Sequence, residues 1–295
     1  MGETTGIAWA SRTWNWAQGC RKKSPGCKHC FMYREKARYK QDPTKVVRSA
    51  PPTFNAPLKW QREAQVTRTR SLVFTGSWFD FFEAEADPWR GEAWDIIRRC
   101  PDLTFQVLTK NAERIADHLP ADWGDGWPNV WLGVSVEDQE WADRRVPHLL
   151  RIPARVRFLS VEPQLGPIEF SDMTRRADAV SQLGKKALTG IHWVIVGGES
   201  GPHARPFDLA WARSIRDQCR AAEVAFFAKQ LGAHVVCRND EVSDWFDECG
   251  HLDLGHVERF QGAVGRVYGF RHPAGADPAE WPADLRVQEF PETRS

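Results

Sequence analysis

Short apolar strand patterns alternate with helical patterns along most of this chain, and this alternation restricts the fold more than any other feature. Runs rich in β-branched and aromatic residues predict six strands, at Ser71–Thr75, Thr104–Leu108, Val130–Val134, Val156–Ser160, Trp193–Val196 and Val224–Ala228. Helical patterns cover residues 88–99, 111–118, 139–150 and 208–222. Strands that alternate with helices form βαβ units with parallel strands. The pattern therefore predicts an α/β fold, and six or seven units favour a full or partial (β/α) barrel over a doubly wound sheet.

The alternation indicates one large domain followed by an extension. We expect the barrel to span residues 1–232 and an irregular C-terminal extension, residues 233–295, to pack on it, because Gly, Pro, Asp and His residues replace the alternating pattern there. Three prolines predict a connecting loop over Ser49–Pro57. Residues Arg175–Gly190 are expected to form a loop insertion before the Trp193 strand.

Composition argues against a disordered or membrane-spanning chain. Apolar residues make up 42% of the 295 residues and the net charge is only +1, which is ordinary for a globular protein. The longest apolar runs are far too short to cross a bilayer. The first residues lack the apolar core of a signal peptide, and Gly6 stands where a myristoylation motif requires Ser or Thr. We therefore expect a cytoplasmic protein, in the host cytoplasm if the chain is viral, with no membrane partner.

Three of the seven cysteines crowd into one short segment, Cys20–Cys30. Cys27 and Cys30 form a C-x-x-C pair whose sulfurs can chelate one metal, and a Ser-Pro-Gly turn lets Cys20 supply a third thiolate. Three thiolates leave one iron of a [4Fe–4S] cluster without a protein ligand, a position that S-adenosylmethionine (SAM) can occupy. The alternative is a structural zinc site with His29 as the fourth ligand, although that ring would have trouble reaching the same metal.

Positive charge is concentrated near the N-terminus. The first 70 residues carry 15 Lys and Arg against 4 Asp and Glu, and the remainder carries 25 against 35. A segment of this kind can face a polyanion such as a nucleic acid. A solvated surface explains the same bias, and the sequence leaves both explanations open.

Polar residues follow the predicted strands in turn. They are Ser77, Asp80, Thr109, Lys110, Ser135, Glu137, Glu162, Glu199 and Lys229. In a (β/α) barrel such positions converge at the C-terminal mouth, where active sites form. One such residue alone, for example Asp80 or Asn111, could be only a helix cap. The Gly197-Gly198 pair lacks the residues of a phosphate-binding loop, so we expect it to let the backbone approach a ligand while Glu199 points into the mouth.

Several short motifs occur in a fixed order along residues 5–232. They are Trp14-Asn15, Gly19-Cys20, Ser24-Pro-Gly-Cys27, Cys30, Thr75-Gly-Ser77, Leu108-Thr-Lys110, Gly133-Val-Ser-Val-Glu137, Leu159-Ser-Val-Glu-Pro163, Val196-Gly-Gly-Glu-Ser-Gly201 and Lys229-Gln230. In this order they resemble a phage-associated, three-cysteine radical-SAM-like family. The chain departs from that pattern in its Cys-x6-Cys spacing, where radical SAM proteins usually have Cys-x3-Cys, and in Phe31, where relatives often have Tyr.

The resemblance implies a barrel of the radical SAM type that holds a [4Fe–4S] cluster on Cys20, Cys27 and Cys30. The cluster would donate an electron to SAM, whose cleavage yields methionine and a 5′-deoxyadenosyl radical that abstracts hydrogen from a substrate. An electron donor such as a flavodoxin or ferredoxin is then a required partner.

The resemblance also implies contacts with SAM from seven residues, Gly76, Ser77, Asp80, Lys110, Ser135, Glu137 and Arg145. Gly76 and Ser77 would contact its methionine end. Ser135 and Glu137 would contact the ribose hydroxyls. Arg145, which is close to them in the sequence, would form an ion pair with a carboxylate.

Glu162, Glu199 and Lys229 are the candidate catalytic residues facing the substrate. Radical-SAM-like members of this phage-associated family are linked to hypermodification of thymine, a change that helps viral DNA evade restriction. The implied reaction is an isomerisation that moves a glycyl adduct from a nitrogen linkage to a carbon linkage on modified thymine in DNA. Two alternatives stay open: radical SAM repair or another modification of a nucleic-acid base, and a non-catalytic, zinc-stabilised nucleic-acid-binding protein.

Overall fold

The computed structural model describes residues 5–170, 188–238, 254–260, 263–268 and 270–292 of the chain. The chain divides into two compact units. The first unit takes in the residues up to Ser135 together with Arg144–Phe158. The second unit takes in Val136–Asp143 and Leu159–Glu292.

The first unit is built on parallel strands. Its strands are β1 (Arg12–Trp14), β2 (Ala17–Gln18), β3 (Val47–Arg48), β4 (Ser71–Thr75), β5 (Leu103–Thr109) and β6 (Val130–Ser135). Its helices are α1 (Phe31–Arg38), α2 (Pro51–Phe54), α3 (Ala56–Thr67) and α4 (Asp87–Arg98). Strands β1, β4, β5 and β6 are neighbours in that order and all run parallel, whereas β2 pairs with β3 antiparallel.

Burial explains why these segments become strands and helices. Strand β6 is buried along its whole length and β5 along nearly all of it, as expected for a parallel sheet covered on both faces. Helix α4 turns an apolar face that includes Trp94 and Ile97 into the core. Gly133 in β6 is required by packing, because a Cβ there would lie 2.5 Å from the Phe158 ring.

The boundary between the units falls within α5 (Gln139–Leu150) and within β7 (Val156–Val161). The second unit continues with β8 (Trp193–Gly197), β9 (Phe207–Asp208), α6 (Leu209–Ala222), β10 (Ala225–Gln230), β11 (Val235–Arg238), β12 (Leu254–Phe260) and β13 (Ala263–Tyr268). Strands β8 and β10 pair in parallel. A four-stranded sheet has the order β12-β13-β11-β9, with β13 antiparallel to both of its neighbours.

Residues 287–289 pack along β10 within the second unit. The Ala228 N–H donates to the Val287 carbonyl (2.8 Å), and Glu289 N–H donates to the Phe226 carbonyl (2.9 Å). Trp281, in the segment that precedes residues 287–289, is fully buried, and its Nε1 donates to the Gly275 carbonyl (2.9 Å). The two bonds along β10 satisfy backbone groups at one side of this strand that would otherwise lack a partner.

The predicted α/β alternation is confirmed. All six predicted strands are present as β4, β5, β6, β7, β8 and β10, and the helices predicted over 88–99, 139–150 and 208–222 are α4, α5 and α6. In the part of the chain that the structure describes, no helix is long and apolar enough to cross a membrane.

Three predictions of local structure are wrong. Residues 111–118 form two single-turn 3-10 helices, Ala112–Arg114 and Ala116–His118, since Leu119 is extended ahead of Pro120. The predicted loop at Ser49–Pro57 holds α2 and the start of α3, because its prolines stand in the first turns of helices, where no amide donor is needed. The extension is not irregular throughout, since β11, β12 and β13 lie beyond residue 232. Most of the predicted insertion at Arg175–Gly190 lies outside the described residues.

Candidate functional site

The three clustered cysteines occupy one loop of the first unit, between β2 and α1. Cys27 ends a short 3-10 helix and its N–H donates to the Ser24 carbonyl (2.9 Å), while Cys30 directly precedes α1. The Cys20 N–H donates to the Pro43 carbonyl (3.0 Å). None of the three cysteines forms a disulfide, and each of these residues is partly exposed. The loop therefore presents three available sulfurs.

Gly19 is required for this loop to form. Its φ is +97°, and a Cβ at this position would lie 2.2 Å from the Lys45 carbonyl oxygen. Only glycine tolerates both the backbone conformation and that close approach. Tyr33 holds Cys20, the residue after Gly19, because the Tyr33 hydroxyl donates to the Cys20 carbonyl at 2.6 Å.

Burial raises the pKa of the Cys20 thiol well above its usual range, and the negative charges of Asp80 and Glu83 raise that pKa further. Cys27 and Cys30 also contribute to the raised pKa, so the three sulfurs lie within electrostatic reach of one another. Desolvation disfavours the thiolate, and a bound metal ion reverses that preference by supplying positive charge. The surroundings of Cys20 therefore favour its thiol form over the thiolate.

Glu83 is a buried carboxylate beside this loop that the sequence analysis missed. Only 1% of its surface is exposed, and the Cys20 thiol donates to its Oε2 at 3.7 Å. The same oxygen accepts the Arg21 N–H at 3.1 Å, and Lys23 Nζ lies 3.8 Å from the other oxygen. Burial raises the pKa of Glu83. The only indication of Glu83 in the sequence is its position. It follows an apolar run and comes three residues before Ala86, the residue that precedes α4.

The three cysteines of the loop are the type and number of residues that hold an iron–sulfur cluster with three protein ligands. Iron–sulfur clusters are held by cysteine sulfurs, and the loop supplies three that form no disulfide. The side chains are not gathered into a closed metal site: within the described ranges, no three His, Cys, Asp or Glu side chains lie close enough together to hold a metal ion. Residue type and number therefore fit the cluster, and the loop would have to draw together to bind it.

The end of β4 is tied to the end of β1. Asn15 Nδ2 donates to Ser77 Oγ (3.0 Å), and the Trp78 N–H donates to Asn15 Oδ1 (2.8 Å). Gly76 has φ +99°, and a Cβ there would lie 3.0 Å from the Phe79 carbonyl oxygen. The two predicted residues, Gly76 and Ser77, thus form a tight turn that Asn15 orients.

Asp80 joins the loop after β4 to the end of β5. Its carboxylate accepts hydrogen bonds from Thr109 Oγ (2.5 Å), the Lys110 N–H (2.6 Å) and the Phe82 N–H (2.9 Å). The structure therefore brings Asp80 and Lys110 together, as candidate site residues should be. The Asp80 carboxylate already has three donors, so its first role is to hold this corner of the fold.

Ser135 and Arg145 also meet in the first unit. Arg145 is buried, and its Nη1 donates to the Ser135 carbonyl at 2.8 Å, at the end of β6. The Ser135 side chain is buried as well. In the second unit the Glu137 side chain is fully buried, and its carbonyl accepts the Leu165 N–H at 2.7 Å. Ribose could reach Ser135 or Glu137 only if the covering side chains moved.

Two of the three candidate catalytic residues form an ion pair in the second unit. Lys229 Nζ, from β10, lies 2.9 Å from Glu162 Oε1, just beyond β7. Ser160 Oγ donates to the other oxygen of Glu162 at 3.2 Å. Both charged side chains keep some exposed surface, so this pair can meet a ligand from solvent. Gly197 lies against the pair, since a Cβ on it would be 3.1 Å from Glu162 Oε1.

Glu199, the third candidate, is held by an arginine that the sequence analysis missed. Its Oε2 accepts from the Arg205 N–H (2.9 Å) and Nε (3.0 Å), and its Oε1 accepts from Nη2 (2.7 Å). Gly198, which precedes Glu199, also has a packing role. A Cβ on Gly198 would lie 2.2 Å from the Leu231 carbonyl oxygen, so this glycine is required by contact with another segment of backbone.

Comparison with known proteins identifies a family. Residues 4–269 match the family described as "protein of unknown function (DUF5131)". No curated protein and no solved structure matches the chain. The matched range includes residues of both units.

Proposed function

The chain belongs to the DUF5131 family of proteins of unknown function, and we propose that it is a radical SAM enzyme. The observation that carries the proposal is the loop with three free thiols, Cys20, Cys27 and Cys30. These residues would hold a [4Fe–4S] cluster, and we assign the parallel strands to a (β/α) barrel of the radical SAM type. When bound, such a cluster supplies the electron that cleaves SAM into methionine and a carbon radical.

The chain's own residues position this loop. Gly19 allows its sharp entry, and Tyr33 donates to the Cys20 carbonyl. Glu83 accepts the Arg21 N–H and lies near Lys23, so the basic loop is anchored to a buried acid. The cationic side chains of the loop offset the negative charge that three thiolates introduce.

The turn at Gly76 and Ser77 is our proposed contact for the methionine end of SAM. Asn15 holds Ser77 in place, and Asp80 holds Lys110 beside it, so the ends of three parallel strands present fixed polar groups. Arg145, Ser135 and Glu137 remain our proposed partners for the carboxylate and ribose, although they are buried here.

In the second unit, Glu162 and Lys229 are our proposed substrate-facing residues. Their ion pair can hold a polar group of the substrate, and Glu162 can accept or return a proton at its carboxylate oxygens. Glu199, the third proposed catalytic residue, is paired with Arg205, and this ion pair holds the loop after β8.

We propose modified thymine in DNA as the substrate class, with an electron donor such as a flavodoxin or ferredoxin as partner. The reaction would move a glycyl group from a nitrogen linkage to a carbon linkage on the thymine methyl group. No atom is gained or lost, so substrate and product have the same mass. The isomerisation would break the bond between the adduct nitrogen and the carbon of the thymine methyl group, form a bond between that carbon and the glycyl α-carbon, and leave the α-hydrogen on the nitrogen. Hydrogen abstraction by a carbon radical suits this step because the glycyl α C–H bond is the C–H bond that must break.

The test is iron and sulfide content after anaerobic purification and reconstitution. Replacing any one of Cys20, Cys27 and Cys30 by Ala should strip iron and abolish SAM cleavage. The matched controls are Cys100→Ala and Cys219→Ala, which remove a thiol far from the loop in sequence and should leave iron content near normal. Stoichiometric zinc without iron in the unmodified protein would overturn the proposal and favour a zinc-stabilised nucleic-acid-binding protein.

A further inference from the structure

A groove of about 480 Å³ lies beside strand β1 in the first unit. Its walls come from β1, α2 and the first half of α3, and its lining includes Thr13, Pro52, Lys59, Trp60 and Arg62. Its volume lies within the range of ligand-binding clefts. Its lining contains none of the residues assigned above to the cluster, SAM or the substrate. It is therefore a separate candidate binding site.

The charged residues that line this groove are both cationic and exposed: Lys59 and Arg62. Glu63, the nearest acid on α3, is already engaged by Arg12 at 2.9 Å and by Lys59 at 3.5 Å. Arg62 forms no ion pair with any residue that the structure describes. The groove therefore presents positive charge that is suited to an anionic ligand.

An aromatic ring and an exposed apolar side chain accompany that charge. Trp60 is half-buried in the groove, and the Arg12 guanidinium lies over its ring at 5.2 Å from the centroid. Lys59, Arg62 and Val66 follow one another at intervals of three and four residues, so they share one face of α3. Val66 is 84% exposed, the highest value among the large apolar side chains for which exposure is described.

We propose that this groove binds a single strand of nucleic acid. Lys59 and Arg62 contact successive phosphates, and a base stacks against Trp60. The proposal rests on the proposed function only for the choice of DNA as the strand. A single strand is favoured over a duplex because an aromatic side chain can stack only on a base whose face is accessible. An acidic protein surface could also meet this positive charge, but it would not require an aromatic ring beside the two cations.

The experiment measures binding of a fluorescein-labelled oligothymidylate of about twelve nucleotides to the full chain by anisotropy, over a range of salt concentrations. The groove variant is Lys59→Ala/Arg62→Ala. The control is Arg151→Ala/Arg155→Ala, which removes the same charge from two exposed residues outside the groove. A matching oligouridylate shows whether the strand is DNA or RNA.

The groove variant should bind more weakly, with a slope of log K against log salt that is smaller by about 1.4, because each single-strand phosphate contact contributes about 0.7. The control variant should keep the slope of the unmodified protein. Trp60→Ala should weaken binding roughly 5- to 150-fold and Trp60→Phe much less, since phenylalanine keeps a stacking face. Circular dichroism confirms that each variant is folded.

The proposal would be overturned if the groove and control variants lost the same binding affinity and the same salt dependence. It would also be overturned if folded Trp60→Ala protein bound the oligonucleotide as tightly as the unmodified protein. Absence of oligonucleotide binding by the unmodified chain at low salt would also overturn it, and would leave an acidic protein as the ligand to test. The assay needs neither cluster nor SAM, so these failures are separate from failure of the proposed function. A protein that contains zinc and no iron but binds the strand through the groove would support this proposal and refute the radical SAM activity.

Discussion

Removing the carboxylate of Asp80 should destabilise the first unit. This side chain is buried and accepts hydrogen bonds from the N–H groups of Phe82 and Lys110 and from the Thr109 hydroxyl. Asp80→Ala leaves all three donors without an acceptor. A buried donor that loses its partner costs about 1–3 kcal/mol, and water can reach part of this corner because Lys110 is not fully buried.

We therefore expect Asp80→Ala to lower the free energy of unfolding by about 3–6 kcal/mol, a large share of the roughly 5–15 kcal/mol typical of folded domains. Asp80→Asn keeps one acceptor oxygen and should lose about 1–3 kcal/mol. The control is Asp95→Ala, since Asp95 is exposed and pairs with Arg98 on the surface of α4. This change should cost less than about 1 kcal/mol.

Thermal unfolding of the cluster-free protein, followed by near-ultraviolet circular dichroism, compares the three variants directly. Isothermal titration with SAM then separates the structural role of Asp80 from a direct cofactor contact. The reasoning would be refuted if the Asp80→Ala protein had the same melting temperature as the Asp95→Ala control. A folded Asp80→Asn protein of normal stability that had lost SAM binding would likewise show that Asp80 is a ligand-binding residue and not a structural one.

Three further predictions concern residues of the second unit and the proposed reaction. Gly198→Ala should lower the melting temperature by several degrees, because the added Cβ collides with the Leu231 carbonyl and overpacking costs about 1–3 kcal/mol; an unchanged melting temperature would contradict that packing. With reduced enzyme, SAM and DNA bearing glycyl-thymine, mass spectrometry of the digested nucleosides should show an isomer of unchanged mass, and Glu162→Gln should reduce its yield at normal iron content. Turnover of free nucleotide alone would exclude DNA as the substrate. Burial raises the pKa of the Asp284 carboxyl, but hydrogen bonds and positive charge from Arg213 and Arg216 outweigh this effect and lower the pKa overall. The ionised Asp284 therefore stabilises the fold fully above its ordinary pKa of 3.8, and this stabilisation is lost as pH falls through the lower pKa of the folded protein. Asp284→Asn should make the melting temperature depend less on pH in the acid range. If the variant and the unmodified protein gave the same pH profile of melting temperature, the stabilising role of Asp284 would be disproved.

Local patterning accounts for the elements that the sequence predicted well. Strands such as β6 are short, continuous apolar runs because both faces of a parallel sheet are covered, and that signal needs no knowledge of neighbours. Strand β1 was missed because it has only three residues and includes the polar Arg12 and Thr13. Pairing with β4 is what holds it in a strand.

The residues that organise the candidate sites were harder to predict, since their partners are distant in sequence. Asn15 bonds Ser77 and Trp78, and Glu83 bonds Arg21, so each bond joins residues more than sixty positions apart. Neither residue belongs to a local motif that indicates its partner. Arg205 lies only six residues from Glu199, but many arginines of this chain are exposed and the sequence does not mark this one as paired.

The sequence by itself determined the α/β alternation and the loop of three cysteines, because both depend on residues close together along the chain. It also placed polar residues after the strands, without showing how each would be used. Only the tertiary structure decided that Asp80 closes a corner with Thr109 and that Glu162 pairs with Lys229. The physical reason is that the carboxyl ends of parallel strands meet at one edge of a sheet. Which polar side chains become neighbours there depends on strand order and register, and neither is set by local sequence.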